Sequence, residues 1–198
     1  PIGAEDALAS IGVLQRIGMF SAMPLVGISI AIQPLLGYNY GAKLIARVRK
    51  TLWIGIAAST TFSVAEWVLI MLFPIQIVAA FGISHEGLVD FTVFALRIQF
   101  LVLPFVGFQI VGANYFQATG QPAKSIFLTL TRQILFLIPL VLWLPSALPS
   151  MVPTLTGLDA LYFATPIADA LSIFTTLGFI LWEMRRLNRM EAAQAGGE

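Results

Sequence analysis

Four charged residues, Glu66, Arg97, Arg132 and Asp169, each stand alone inside a long apolar stretch of the 198-residue chain. Placing a charge at the centre of a lipid-embedded helix costs about 2.5–3.5 kcal/mol on insertion scales, so such groups need a partner or a task. The two carboxylates could take up and release a coupling ion or a proton. The two arginines could instead hold them as interhelical charge locks, keeping them ionised and quiet. Counted from the midpoint of each stretch at about 1.5 Å per residue, Glu66 lies ~5 Å and Arg97 ~10 Å to one side, within reach of each other if their helices touch. By the same arithmetic Asp169 lies ~3 Å to that side and Arg132 ~7 Å to the other. Two pairs are therefore predicted, Glu66 with Arg97 and Asp169 with Arg132. For the first, Glu66→Gln and Arg97→Gln should each damage more than the double change.

Neutral polar residues in the same stretches extend this set. Gln33 and Asn114 are the foremost candidates for a substrate or ion pathway, with Gln99, Gln109 and Gln133 beside them. Each can also serve as interhelical glue, worth about 0.6 kcal/mol. Prolines form a third group. Pro24, Pro104, Pro139 and Pro166 are helix-hinge candidates, accompanied by Pro34 and Pro145. Each removes a backbone donor and clashes one turn back, which predicts orphaned carbonyls at Phe20, Phe100, Leu135 and Tyr162. Broken helices of this kind are tolerated where protein, water or a cavity satisfies the freed groups. Some of the Phe residues could receive a bulky apolar cation through cation–π contact.

Other chemistry is poorly provided for. The chain has no Cys and one His, His85, which cannot build a zinc site alone. There is no His-Glu-x-x-His pair, no second His to serve a Ser nucleophile and no Gly-rich loop ending in Lys-Ser/Thr. An enzyme is not expected, nor is a metal or cofactor. The net charge of +1 also argues against a nucleic-acid partner.

Composition says where these residues reside. Hydrophobic residues make up 58% of the chain and charged ones 11%, with a mean hydropathy of +0.88. A soluble domain carries about 25% charged residues, so this chain has too little charge to cover a water-facing surface. Five stretches approach or exceed the ~20 apolar residues that a spanning helix requires: 17–36, 52–73, 91–116, 126–148 and 160–182. The fold class is an all-α membrane protein. Lys43, Arg47, Arg49 and Lys50 follow the first stretch, Lys124 the third, and Arg185, Arg186 and Arg189 the fifth, whereas 74–90 and 149–159 hold no Lys or Arg. The positive-inside rule makes the first group cytoplasmic, the tail 183–198 included. Arg16 then lies at the outer interface. Gly82, Gly120 and Gly157 mark turns, and Thr156 with Asp159 resembles a capping box. A start at Pro1 and an odd number of spans suggest a piece of a longer protein.

Several of these residues fall into a familiar order. Met23-Pro24-Leu25-Val26-Gly27 through Gln33-Pro34-Leu35-Leu36-Gly37-Tyr38-Asn39-Tyr40-Gly41-Ala42 resembles the eighth helix, and the loop after it, of the multidrug and toxin extrusion (MATE) family. Tyr115-Phe116-Gln117-Ala118-Thr119-Gly120-Gln121 resembles the end of that family's tenth helix; Arg132-Gln133 and Ile138-Pro139-Leu140 resemble its eleventh, and Pro166-Ile167-Ala168-Asp169 its twelfth. The resemblance covers almost the whole chain. It implies five of twelve helices, a partial C-terminal lobe over 1–198, and a partner lobe elsewhere in the same protein. It also implies multi-pass insertion in a plasma membrane, bacterial inner membrane included, and export of hydrophobic or cationic compounds in exchange for Na⁺ or H⁺. Members place coupling carboxylates in the first helix, or in the seventh and tenth. Here the tenth-helix equivalent carries Arg97 instead, so Asp169 is read as a structural or pathway residue before an ion-binding one. A lipid-linked oligosaccharide flippase of the same wider superfamily and a non-transporting membrane assembly factor are the alternatives.

Overall fold

The computed structural model describes residues 4–83, 86–151 and 157–195, and no strand occurs among them. The chain forms α1 (Ala4–Gly41), α2 (Ile45–Leu72), α3 (Pro74–Ala80), α4 (Glu86–Gln99), α5 (Leu103–Ala118), α6 (Pro122–Leu130), a π-helical segment (Thr131–Leu137), α7 (Ile138–Met151) and α8 (Gly157–Ala195). Leu8–Gly41, Ile45–Leu72, Pro122–Leu148 and Ala160–Ala193 are each long and apolar enough to cross a membrane. The pair α4 and α5, bent by 45°, makes a fifth span if taken together.

The helices overrun the apolar stretches read from the sequence because hydrogen bonding does not stop where hydrocarbon does. The 38 residues of α1 span about 57 Å, nearly twice the ~30 Å hydrocarbon core. In the region 74–90, α3 begins with Pro74 in its first turn, where a missing N–H costs nothing. Gly82 and Gly120 occupy turns at φ of 88° and 74°, left-handed values that favour glycine. Gly157 opens α8 rather than closing a turn. The Thr156–Asp159 box lies outside the described residues.

The prolines act unequally. Helix α1 runs unbroken through Pro24 and Pro34, and α8 through Pro166, so no break accompanies them. The break in the 91–116 stretch falls at residues 100–102, just before Pro104 in the first turn of α5. Its expected orphan is satisfied: the carbonyl of Phe100 accepts the Leu103 N–H at 3.1 Å. Pro139 follows directly on the π-helical segment.

Three apolar clusters hold the described residues together, the smallest of them Leu144 with Ala160 and Ala164 between α7 and α8. Of the larger two, one gathers Leu14, Ile17, Ile70, Val78, Leu96 and Leu103. The other gathers Leu36, Val48, Leu52, Val111, Tyr115, Phe116 and Leu187 at the end where the basic loops lie. Helices α2 and α5 meet across small residues, as is common between membrane helices. A Cβ on Gly107 would stand 2.7 Å from the Ser59 carbonyl oxygen, and one on Gly112 2.8 Å from Thr176 Cγ2 of α8. The outward faces carry exposed Phe20, Met23, Ile30, Leu142, Trp143 and Phe174, a surface suited to lipid or to further apolar helices rather than to water.

Candidate functional site

The π-helical segment positions the central charge pair. Pro139 cannot donate to the Leu135 carbonyl, and its ring crowds that turn. The chain widens by one residue: the N–H of Ile138 donates to the carbonyl of Gln133, five positions back. π-Helical turns recur at functional sites because the extra residue re-aims the side chains around it. Here Arg132 and Gln133 stand in that segment. Arg132 Nε donates to Asp169 Oδ1 at 2.5 Å. The Asp169 side chain is 7% exposed and that of Arg132 39%, so the carboxylate is the deeper partner.

This pair edges a cavity of about 370 Å³. Gln15 and Ser21 line it from α1, Gln99 from the end of α4, Arg132 and Gln133 from the π-helical segment, and Thr165 and Asp169 from α8; Leu25, Phe100, Leu103 and Ile110 supply apolar wall. A smaller cavity of about 210 Å³ shares Arg132 and is lined by Gln109, Asn114, Gln117, Thr129 and Thr176. Gln109 Nε2 donates to Ser172 Oγ at 2.6 Å. The Gln109 Oε1 and Thr176 Oγ1 atoms are buried without a hydrogen-bond partner. Buried polar atoms are normally satisfied, so these two mark an unsatisfied polar patch on residues that line the smaller cavity.

Gln33 and Asn114 are brought together. Gln33 Nε2 donates to Asn114 Oδ1 at 3.2 Å, joining α1 to α5, and Asn114 Nδ2 donates to the Ile110 carbonyl. Asn114 also lines the smaller cavity.

Glu66 and Arg97 are not brought together, which corrects the pairing expected from depth alone. No ion pair joins them among the described residues. Helix α4 packs chiefly on α3, α8 and α1, and only lightly on α2. Arg97, in its last turn, is exposed. Lying on the same side of the midplane does not give adjacency when α4 packs on α3, α8 and α1 more than on α2. Glu66 is partly buried beside Ser21 of α1, and its Oε2 atom has no hydrogen-bond partner.

A further acid, Glu183, lies one residue past the last apolar stretch and is fully buried. Arg186 Nη1 at 3.3 Å and Lys124 Nζ at 3.6 Å pair with it. Gln121 Nε2 donates to its Oε1 at 3.2 Å, and the Tyr115 hydroxyl donates to the same atom at 3.4 Å. Nearby, Arg49 bonds Asn188 at 2.7 Å and pairs with Glu191 at 3.3 Å. The three basic regions thus converge at one end of the bundle. The i,i+3 spacing of Glu183 and Arg186 was a visible sign of this cluster, but the span count stops at residue 182. Among the described residues, no three His, Cys, Asp or Glu side chains are grouped to hold a metal ion.

Membrane-length helices around a polar, charge-edged cavity define a multi-pass membrane protein with its site between helices. Residues 2–143 match the MatE family profile, and the chain belongs to that family. Among solved structures, a ligand complex of the MATE multidrug transporter DinF-BH is 40% identical, with a TM-score of 0.75 over 89% of this chain and 37% of that one. A MATE in complex with MaL6 superposes at a TM-score of 0.80 with 21% identity, over 96% of this chain and 41% of that one. An outward-facing MATE family transporter of the MOP superfamily gives a TM-score of 0.78 at 21% identity, over 96% and 41%. The chain spans about two fifths of the length of these structures. No curated protein matches it.

Proposed function

We propose that the chain forms most of the C-terminal lobe of a secondary transporter that exports hydrophobic or cationic compounds in exchange for Na⁺ or H⁺, its basic end facing the cytoplasm. The observation that carries this reading is the Arg132–Asp169 pair on the edge of a polar cavity, held by a π-helical turn. A charge pair inside a membrane protein is expensive, and one that borders a cavity is placed to respond to what enters it. A cation arriving beside Asp169 competes with Arg132 for the carboxylate; once released, the arginine is repelled from the guest. Glu66 needs no such exchange, since it has no ion-pair partner among the described residues, and it can take up or release a proton directly. The two carboxyls therefore suit coupling steps of different kinds. Leu25, Phe100, Leu103 and Ile110 would hold the apolar body of a substrate.

Alternating access gives these groups two environments. The lobe superposes on an outward-facing family structure at a TM-score of 0.78 and on an inward-facing one at 0.77. That likeness supports a lobe that moves as a body against its partner lobe, so the cavity would change its exposure and not its lining. The test is drug susceptibility in a host stripped of its own exporters. The full-length protein should raise the inhibitory concentration of lipophilic cations, and Asp169→Asn or Glu66→Gln should abolish this at unchanged protein level. Loss of protein instead of activity would leave the carboxylates as folding elements and sink the coupling role.

A further inference from the structure

Between α6 and α8 an apolar groove of about 520 Å³ opens on the outside of the bundle, away from the cavity edged by Asp169. Phe174, Thr175, Gly178, Phe179 and Trp182 line it, and Lys124 closes one end. Phe174 is 71% and Trp182 51% exposed. Lys124 Nζ stands 4.1 Å from the Trp182 ring centroid, a cation–π contact that fixes the ammonium over the mouth of the groove. From Phe174 to Trp182 the groove runs about 12 Å along α8, close to the ~15 Å depth of hydrocarbon in one leaflet.

Past Trp182 the same helix face continues with Arg185, Arg186 and Arg189, at i+3, i+4 and i+7. Arg186 is engaged with Glu183, which is fully buried beneath the cluster. Arg185 and Arg189 are exposed and form no ion pair among the described residues. Apolar groove, interfacial tryptophan and surplus cations therefore follow one another along a single stripe. A basic patch beside such a groove at the cytoplasmic surface complements an anionic headgroup whose chain enters the bilayer.

We propose that this stripe is a binding site for an anionic phospholipid of the cytoplasmic leaflet. One acyl chain lies along Phe174, Gly178 and Phe179, and the phosphate is held by Arg185 and Arg189, whereas Lys124, paired with Glu183, closes the end of the groove. Zwitterionic lipids fit the same groove but gain less from the cations, so the site selects by charge. The proposal is independent of the transported substrate.

Fluorescence quenching tests it directly in the full-length protein carrying Trp182 as its only tryptophan, reconstituted in phosphatidylcholine vesicles. Phosphatidylglycerol brominated on its acyl chains should quench Trp182 at far lower mole fraction than equally brominated phosphatidylcholine. Arg185→Gln and Arg189→Gln should each shrink that preference by about fivefold. A Cβ at Gly178 meets nothing within 4 Å, so Gly178→Phe can leave the backbone in place while its ring occupies the groove, and it should weaken quenching by both lipids. Equal quenching by the two lipids in the parent protein means ordinary boundary lipid and overturns the proposal. Absence of quenching by either means that protein covers the groove, which overturns it as well.

Discussion

Removing either member of the Arg132–Asp169 pair should cost more than removing both would suggest by addition, and the structure fixes the asymmetry. Arg132→Gln strands a carboxylate whose side chain is 7% exposed, and an uncompensated buried charge of that kind costs about 2–3 kcal/mol. Asp169→Asn leaves a guanidinium whose side chain is 39% exposed and can turn toward cavity water, so about 1–2 kcal/mol is expected after allowance for solvent screening. The double change removes both charges and should cost no more than the worse single change, a coupling of about 1–2 kcal/mol. Reversible unfolding of the full-length protein in mixed micelles, followed by helicity as dodecyl sulfate rises, measures all three. Effects that add to within about 0.5 kcal/mol would show that the contact carries no net stability, and the pairing argument would fail.

Three further outcomes follow from particular contacts. Glu66→Gln and Arg97→Gln should add to within about 0.5 kcal/mol in the same unfolding assay, since the two side chains do not meet; a clear coupling would restore the lock expected from depth. Gly107→Ala should destabilise by about 1–3 kcal/mol, because its Cβ would stand 2.7 Å from the Ser59 carbonyl oxygen. Gly12→Ala, with nothing within 4 Å, should be neutral or gain up to about 1 kcal/mol, and equal losses at both sites would refute the packing account. Glu183→Ala should cost about 2–3 kcal/mol by leaving Lys124, Arg186 and the Tyr115 hydroxyl without their common acceptor, and a change below about 0.5 kcal/mol would show that they find water instead.

The sequence made the number of spans and the Arg132–Asp169 pair legible for a simple reason: apolar length and isolated charge are both imposed by the bilayer. It did not reveal which helices touch. Glu66 and Arg97 lie on the same side of the midplane, yet adjacency depends on how α4 packs on α3 and α8, which depth does not record. The prolines were visible but not their effects. A proline at the start of a helix is harmless, as at Pro104, and one after a widened turn is accommodated, as at Pro139; the residues around them decide. Glu183 escaped notice because a hydropathy span ends where the first charge begins, whereas the helix and its buried network continue past that point.

The central claim is that the cavity edged by Asp169 lies on a transport path driven by an ion gradient. It is tested most directly in proteoliposomes of the full-length protein, by following the movement of a fluorescent lipophilic cation while a Na⁺ or proton gradient is imposed. The account predicts gradient-driven movement that is lost in Asp169→Asn at equal reconstitution and unchanged helicity. Full gradient-driven transport by that variant, or movement that persists when both gradients are collapsed, would contradict it.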